Sequence, residues 1–393
     1  MNEPEVVRRV HRHLLLHGIG GTALSRLFTD PHPTLIGYRD LKPFQRFSIG
    51  DAGAVVHPDL LGQESDSESL FAIEAKGGRD LRWGLAQAES YQDGVQRSFL
   101  AAPASDLGES LVLRAREKGI GVIAVGDEVR LLHVPLSRRP LNSLYKDLIQ
   151  AIGSAAWVTE GGTFVFNLPT HYLVWTALLE PDREQPIGEL PRHFQGYPMP
   201  VQWRSALQGA RKLGLVTQNG VGVTLTDVGV AVRLLLPYDV ATWTAIHTDI
   251  SQARAARTLI ERCREAAGVL RLLLLRDPVV RLILDGLRHL PGRSGTFVDL
   301  AMACSALDRR SSVIFFLNPE ASPQWVRSDG AVEWGAVPAD CFRSTSFFQY
   351  KSVLKHAGLI KAGRLGAASA RHYRPENDRW DLNDNFNLRI GLT

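Results

Sequence analysis

The chain has 393 residues, 45% hydrophobic and 22% charged, with a formal net charge of +4. That length implies two to four domains with ordinary packed cores. No apolar run approaches the roughly 20 residues of a membrane span: Leu272–Leu275 and Leu234–Leu236 are short and abut arginine. Cys263, Cys304 and Cys341 form no CxxC pair, which argues against structural zinc and for reduced thiols. The opening Met1-Asn2-Glu3-Pro4-Glu5 is acidic and unlike a secretory signal, so the expected location is the cytoplasm, off the membrane. Charge is uneven. Residues 1–135 hold 15 Lys/Arg against 18 Asp/Glu, a balance of −3, and residues 136–393 hold 30 against 23, a balance of +7. A basic second part suits a polyanionic partner, although +7 over that length is also within ordinary surface variation.

In chain order, Glu3–His17 reads as a helix, with Val6, Val7, Val10, Leu14 and Leu15 at helical spacing and Gly18 as the stop. A turn-rich stretch with Pro31, Pro33 and Pro43 follows. Strands are predicted at 44–49, 52–58 and 70–76, a helix at 80–94, a strand at 97–102, a helix at 107–118, and strands at 119–125 and 129–134. This order describes an α/β domain over residues 1–135. The Pro/Arg-rich stretch 135–141 reads as a linker. Beyond it the pattern is mainly helical. A helix over 201–213, a hairpin around Asn219-Gly220 and a helix from Thr226-Asp227 outline a winged-helix-like domain within 142–240. Residues 241–393 read as long Leu/Arg-rich helices, 250–275 and 279–290, followed by a second winged-helix-like module from Ser344 to Leu382.

The chemistry-bearing segment is His57-Pro58-Asp59, then fourteen residues, then Glu74-Ala75-Lys76. Alternate side chains on a strand share a face, so Glu74 and Lys76 point one way and Phe71, Ile73 and Ala75 the other, into a core. A Glu and a Lys on so apolar a strand are costly to bury without a purpose. The polar, turn-like stretch 60–69 would form a hairpin returning Asp59 to the side of Glu74. Two adjacent carboxylates repel unless a hard divalent cation lies between them, and Mg²⁺, or Mn²⁺ in its place, favours such oxygen ligands. Lys76 would then stand beside the attacking water. Gln87 and Tyr91, four apart, share the helix face that overlooks this strand, where they would hold a phosphate or orient Lys76.

These residues resemble the PD-(D/E)XK nuclease superfamily. Asp59, Glu74 and Lys76 occupy the three signature positions, and Gln87…Tyr91 is similar to the QxxxY element of its RecB-like branch. The resemblance covers about one third of the chain. It implies a restriction-endonuclease-like N-terminal domain and Mg²⁺-dependent cleavage of DNA, with Asp59, Glu74, Lys76, Gln87 and Tyr91 catalytic and Asp59, Glu74, Ala75 and Glu5 at the metal. Related nucleases, archaeal Holliday-junction resolvases among them, direct a first-helix Glu into the site, and Glu3 is the alternative to Glu5 in that part. Arg79 and Arg82, just after the motif, would contact phosphate or serve as a solvated helix start. In the C-terminal part Arg204, Gln208, Arg211 and Lys212 on the first module's helix, and Lys351 and Lys355 on the second's, are the expected DNA contacts. Winged helices also serve as protein-interaction modules. The implied activity is that of a DNA endonuclease in restriction or phage defence, working as a homodimer or with a defence partner protein. The rival readings are a structure-specific repair nuclease and a non-catalytic DNA-binding regulator, and RNA remains open as a substrate.

Overall fold

In the computed structural model, the first helix begins where its sequence supplies a cap. The structure describes residues 1–35, 38–50, 55–65, 67, 69–78, 80–159, 164–194, 196–219, 222–251, 258–327, 330–361 and 373–383. Helix α1 spans Glu3–His17, and the Asn2 side chain accepts from the Glu5 N–H at 3.0 Å. Gly18, at φ +67°, ends it by donating its N–H to the Leu14 carbonyl. The strands are β1 (Leu24–Thr29), β2 (Leu60–Glu64), β3 (Leu70–Ala75), β4 (Arg97–Pro103), β5 (Gly121–Val125) and β6 (Val129–His133). Helix α2 (Leu81–Ser90) crosses from β3 to β4, and α3 (Glu109–Glu117) from β4 to β5.

These strands form one six-stranded sheet in the order β1-β2-β3-β4-β5-β6. Pairs β3–β4 and β4–β5 are parallel and the rest antiparallel. The parallel centre is covered on both sides, which explains the nearly continuous apolar runs of β3, β4 and β5. Val6, Val7, Val10 and Leu14 of α1 share a core with Leu60, Phe71, Ile73, Ala75, Phe99 and Ile123. Glu74 and Lys76 lie on the other side of β3 by strand alternation.

The chain forms two compact units. The first comprises 1–155 with 309–333, and the second 156–308 with 334–393. The sequence boundaries at 135 and 240 differ from this division. Residues 135–141 are tied down rather than loose: the Arg138 N–H donates to the Gln96 carbonyl and the Leu141 N–H to the Asp93 carbonyl, both at 2.9 Å. Helix α4 (Asn142–Thr159) follows, and most of it belongs to the first unit. Among the described residues no helix is long and apolar enough to cross a membrane.

In the second unit, helix Trp203–Lys212 precedes strands Val216–Asn219 and Gly222–Leu225, which join Gln185–Pro186 in a three-stranded sheet. Helix Asp227–Leu235 starts on the Thr226 hydroxyl, which accepts from the Gly229 N–H. Further on, strand Ser294–Thr296 pairs with Arg379–Asp381, flanked by helices Pro278–His289 and Phe297–Leu307. Residues Ser346–Tyr350 form a π-helical turn continuing into helix Lys351–His356, and Ile360 bridges Leu382.

Three sequence expectations are corrected. The strand expected at 44–49 is not a strand, since Phe44 and Ile49 make only isolated bridges; of the strand expected at 52–58, residues 52–54 lie outside the described residues and the described 55–58 hold only the Val56 bridge to Ile49. The antiparallel pair is instead β1 and β2. The helix expected over 250–275 is broken: Thr258 begins a new turn through a capping box, and Cys263 is extended between Leu259–Arg262 and Arg264–Leu274. The helix expected from residue 201 starts at Trp203, and Val201 precedes it, 99% exposed.

Candidate active site

The β2–β3 register builds the site. Leu60 pairs with Ile73, so Asp59, one residue before β2, stands abreast of Glu74. The Asp59 Oδ2 accepts from the Ala75 N–H at 2.7 Å, which fixes its carboxylate against β3. The Lys76 Nζ lies 2.5 Å from Glu74 Oε1. The Tyr91 hydroxyl sits against Glu74 Oε2 and 2.9 Å from the His57 carbonyl oxygen. Asp59, Glu74, Lys76 and Tyr91 thus converge at the C-terminal end of β3.

Electrostatics follow from this crowding. Burial, then the neighbouring Glu74 charge, holds the Asp59 carboxyl well above the usual carboxylate range, against the opposing Ala75 N–H bond. Burial also raises Glu74, although Lys76 and Tyr91 pull the other way. For Lys76, burial works against the charge, but Glu74, Glu3 and Asp59 outweigh it and keep the ammonium protonated. Burial and the Glu74 charge push the Tyr91 phenol far up, so Tyr91 acts as a hydrogen-bond donor.

A carboxyl whose pKa is raised by folding adds stability below its unfolded value, here about 4, and loses it as pH rises through the folded value. At neutral pH the Asp59–Glu74 pair therefore destabilises the metal-free protein. Asp59→Asn keeps an acceptor for the Ala75 N–H and removes the repulsion. Its expected result is a higher melting temperature at pH 7 without metal, on the scale of about 2–4 °C per kcal/mol for a unit of this size, and a smaller gain at pH 4. Melting curves at both pH values check it; a lower melting temperature at pH 7 would show that the pair is not repulsive.

The stripe of α2 that faces Lys76 completes the wall. A Cβ built on Gly84 would lie 2.7 Å from Lys76 Cγ and 3.0 Å from Leu100 Cδ1, so the glycine lets α2 rest on the lysine stem. Gln87 and Tyr91 follow on that stripe, and Gln87 Oε1 is buried with no hydrogen-bond partner among the described residues. An interior helical glycine costs about 1 kcal/mol relative to alanine, so Gly84 in the middle of α2 is itself a sequence signal of close approach.

Glu5 is not in this site. It pairs with Arg9 at 2.8 Å and with Arg8 at 4.0 Å, in a separate cleft lined also by Arg12 and Asp127. Glu3 takes the expected place, 3.8 Å from Lys76 Nζ. Residues two apart on a helix point about 200° apart, so only one of the pair can face β3. Arg82 is exposed, and Arg79 lies outside the described residues.

Among the described residues no group of three or more His, Cys, Asp or Glu side chains is arranged around one metal position. Two carboxylates nonetheless suit Mg²⁺, which keeps several waters and takes one or two protein carboxylates. The mutual repulsion of Asp59 and Glu74 is the feature a cation would relieve, and the buried Gln87 oxygen lies on the helix stripe facing it. Ala75, whose N–H donates to Asp59, could reach a metal only through its backbone carbonyl.

Of the expected DNA contacts, Arg204, Gln208 and Arg211 are exposed on helix Trp203–Lys212. Lys212 and Lys351 are corrected. Lys212 is buried between the rings of Phe164 and Tyr350, and burial lowers its pKa to about 7 despite the charge of Asp277. Lys351 is fully buried on the Asp378 carboxylate, with the Arg379 carbonyl 2.7 Å away. Neither ammonium can reach a phosphate from there. Lys355 is partly buried, and burial lowers its pKa.

No protein-family model and no curated protein matches this chain. Among solved structures, it is similar to a protein of unknown function from Silicibacter pomeroyi, at 17% identity and a TM-score of 0.26, over 38% of this chain and 83% of that one.

Proposed function

We propose that the first unit is a metal-dependent phosphodiesterase acting on DNA, and that the second unit binds the DNA. The observation that carries this reading is the half-buried Asp59 abreast of the buried Glu74, with the Lys76 ammonium 2.5 Å from Glu74. A Mg²⁺ held by Asp59 and Glu74, with Mn²⁺ able to substitute, would supply Lewis-acid charge and a lowered water pKa. The chain's own residues do the rest. Lys76, protonated, donates toward negative charge developing on the phosphate. Tyr91 holds Glu74 Oε2 and so keeps that carboxylate in one rotamer. Gly84 gives the Lys76 stem a fixed path.

Two features support DNA as the partner. The succession of helix Trp203–Lys212, a short hairpin and helix Asp227–Leu235 resembles a winged helix, as does the region around Ser294–Thr296 and Ser346–His356. The exposed Arg204, Gln208 and Arg211 share one side of their helix, the types and placement that read base edges and phosphates. Arg211→Ala should weaken binding to every sequence and lower the slope of log affinity against log salt by about one unit. Arg204→Ala or Gln208→Ala should cost about 1–3 kcal/mol and relax preference at one position. Unchanged affinity and slope in all three would remove this helix from the DNA interface and favour a protein-interaction module. Restriction, defence and repair differ in substrate. Mg²⁺-dependent cleavage of a panel of plain duplex, branched and single-stranded DNA tests the activity and sorts these roles; binding without cleavage of any member would favour the non-catalytic regulator.

A further inference from the structure

The cleft beside Lys76 also holds an aromatic side chain, Trp83, that the proposed phosphodiester chemistry does not use. It encloses about 390 Å³ and is lined by Glu3, Lys76, Gly77, Asp80 and Trp83 together with the start of the chain, a volume within the range of small-ligand sites. A Cβ on Gly77 would lie 2.7 Å from the Glu3 backbone nitrogen, so that segment closes directly over the strand end. Trp83 also lines the cleft and is 66% exposed. It stands four residues before Gln87 and eight before Tyr91, on the same stripe of α2.

We propose that Trp83 is the stacking platform for one unpaired nucleobase of the strand being cut. This rests on the phosphodiesterase reading and names its substrate class: single-stranded DNA, or a frayed or flapped end. A phosphate at Lys76 places the adjoining nucleotide in this cleft. The rim beside Trp83 carries Glu3 and Asp80, both acceptors, which repel a second phosphate and leave the neutral base as the occupant. Carboxylates at a base edge accept from exocyclic amines. Inside a continuous duplex each base is already stacked on its neighbours, so the indole face is open only to a base that has left the stack. Stacking on an exposed aromatic ring contributes enough per base to set affinity.

The test uses the full chain in EDTA, so that binding is read without cleavage. Dissociation constants are measured by fluorescence anisotropy for three probes: a 15-nucleotide single strand, a base-free sugar–phosphate backbone of the same length, and a closed dumbbell duplex without ends. Trp83→Ala should weaken the single strand by about five- to a hundredfold, with Trp83→Phe keeping most of the affinity and both leaving the other two probes within about twofold. An equal loss on all three probes would overturn stacking in favour of a general surface effect. No loss on the single strand would overturn it outright, even if Mg²⁺ then supports cleavage by the wild type. A selective single-strand loss without any Mg²⁺-dependent cleavage would uphold stacking and refute the phosphodiesterase reading. Because Trp83 is largely exposed, unchanged thermal melting is expected of both variants.

Discussion

Asp59→Ala and Glu74→Ala should each abolish Mg²⁺-dependent cleavage while DNA affinity stays close to that of the wild type. The reason is a separation of tasks: both carboxylates lie at the end of β3 in the first unit, whereas Arg204, Gln208 and Arg211 lie in the second. The two substitutions differ structurally. Asp59→Ala leaves the Ala75 N–H without its acceptor, at a cost of about 1–3 kcal/mol for an unsatisfied buried donor. Asp59→Asn is therefore the fold-conserving partner and should be equally inactive, because it lacks the charge. Glu74→Gln keeps an acceptor for the Tyr91 hydroxyl but removes the counter-charge of Lys76. Lys76→Ala should lose at least ~100-fold in rate, the scale for one electrostatic or acid–base group. Tyr91→Phe, which removes one hydroxyl, should be milder. Initial rates of plasmid nicking in Mg²⁺, alongside anisotropy in EDTA, measure both quantities. Full activity in purified Asp59→Ala and Glu74→Ala would discard the active-site assignment.

Much of this site was legible in the sequence because its parts are local. Glu74 and Lys76 share a strand face by alternation, and Gln87 and Tyr91 share a helix face by their spacing. The elements that escaped owe their polarity to partners far away in the chain. Strand β2 reads as a turn because Gly62, Gln63 and Glu64 are poor strand residues. In the fold Gln63 Oε1 accepts from Arg26 at 2.9 Å and Glu64 pairs with Arg97 across the sheet, so both are buried beside partners distant in sequence. The sequence shows the charges but not that they cancel. Glu3 and Glu5 are equivalent as helix-start acids, and only the seat of α1 on the sheet decides between them. Lys212 and Lys351 mislead in the same way. Each occupies a helix position that reads as polar, but long-range contacts bury it: Phe164 and Tyr350 in one case, Asp378 in the other.

The Lys351–Asp378 pair therefore supports a stability prediction instead of a DNA-binding one. Both side chains are fully buried. Asp378 also accepts from the Tyr373 hydroxyl at 2.8 Å and from Trp380 Nε1 at 2.9 Å, and the ammonium lies 5.3 Å from the centre of the Trp380 ring. One carboxylate thus ties helix Lys351–His356 to strand Arg379–Asp381, the pairing partner of Ser294–Thr296. Asp378→Ala strands a buried ammonium and two donors. Removing one partner of such a pair costs about 3–5 kcal/mol, far more than the net contribution of the intact pair. The second unit should accordingly melt at a clearly lower temperature in Asp378→Ala than in the wild type. Lys351→Met leaves the carboxylate with the Tyr373 and Trp380 donors and should cost less. The double variant Lys351→Met/Asp378→Leu should recover part of the loss, since apolar groups of similar volume need no counter-charge. Calorimetry of the three variants checks this order. A change of less than about 1 kcal/mol in Asp378→Ala, the scale of an exposed ion pair, would mean that water reaches Lys351 and would restore it as a candidate phosphate contact.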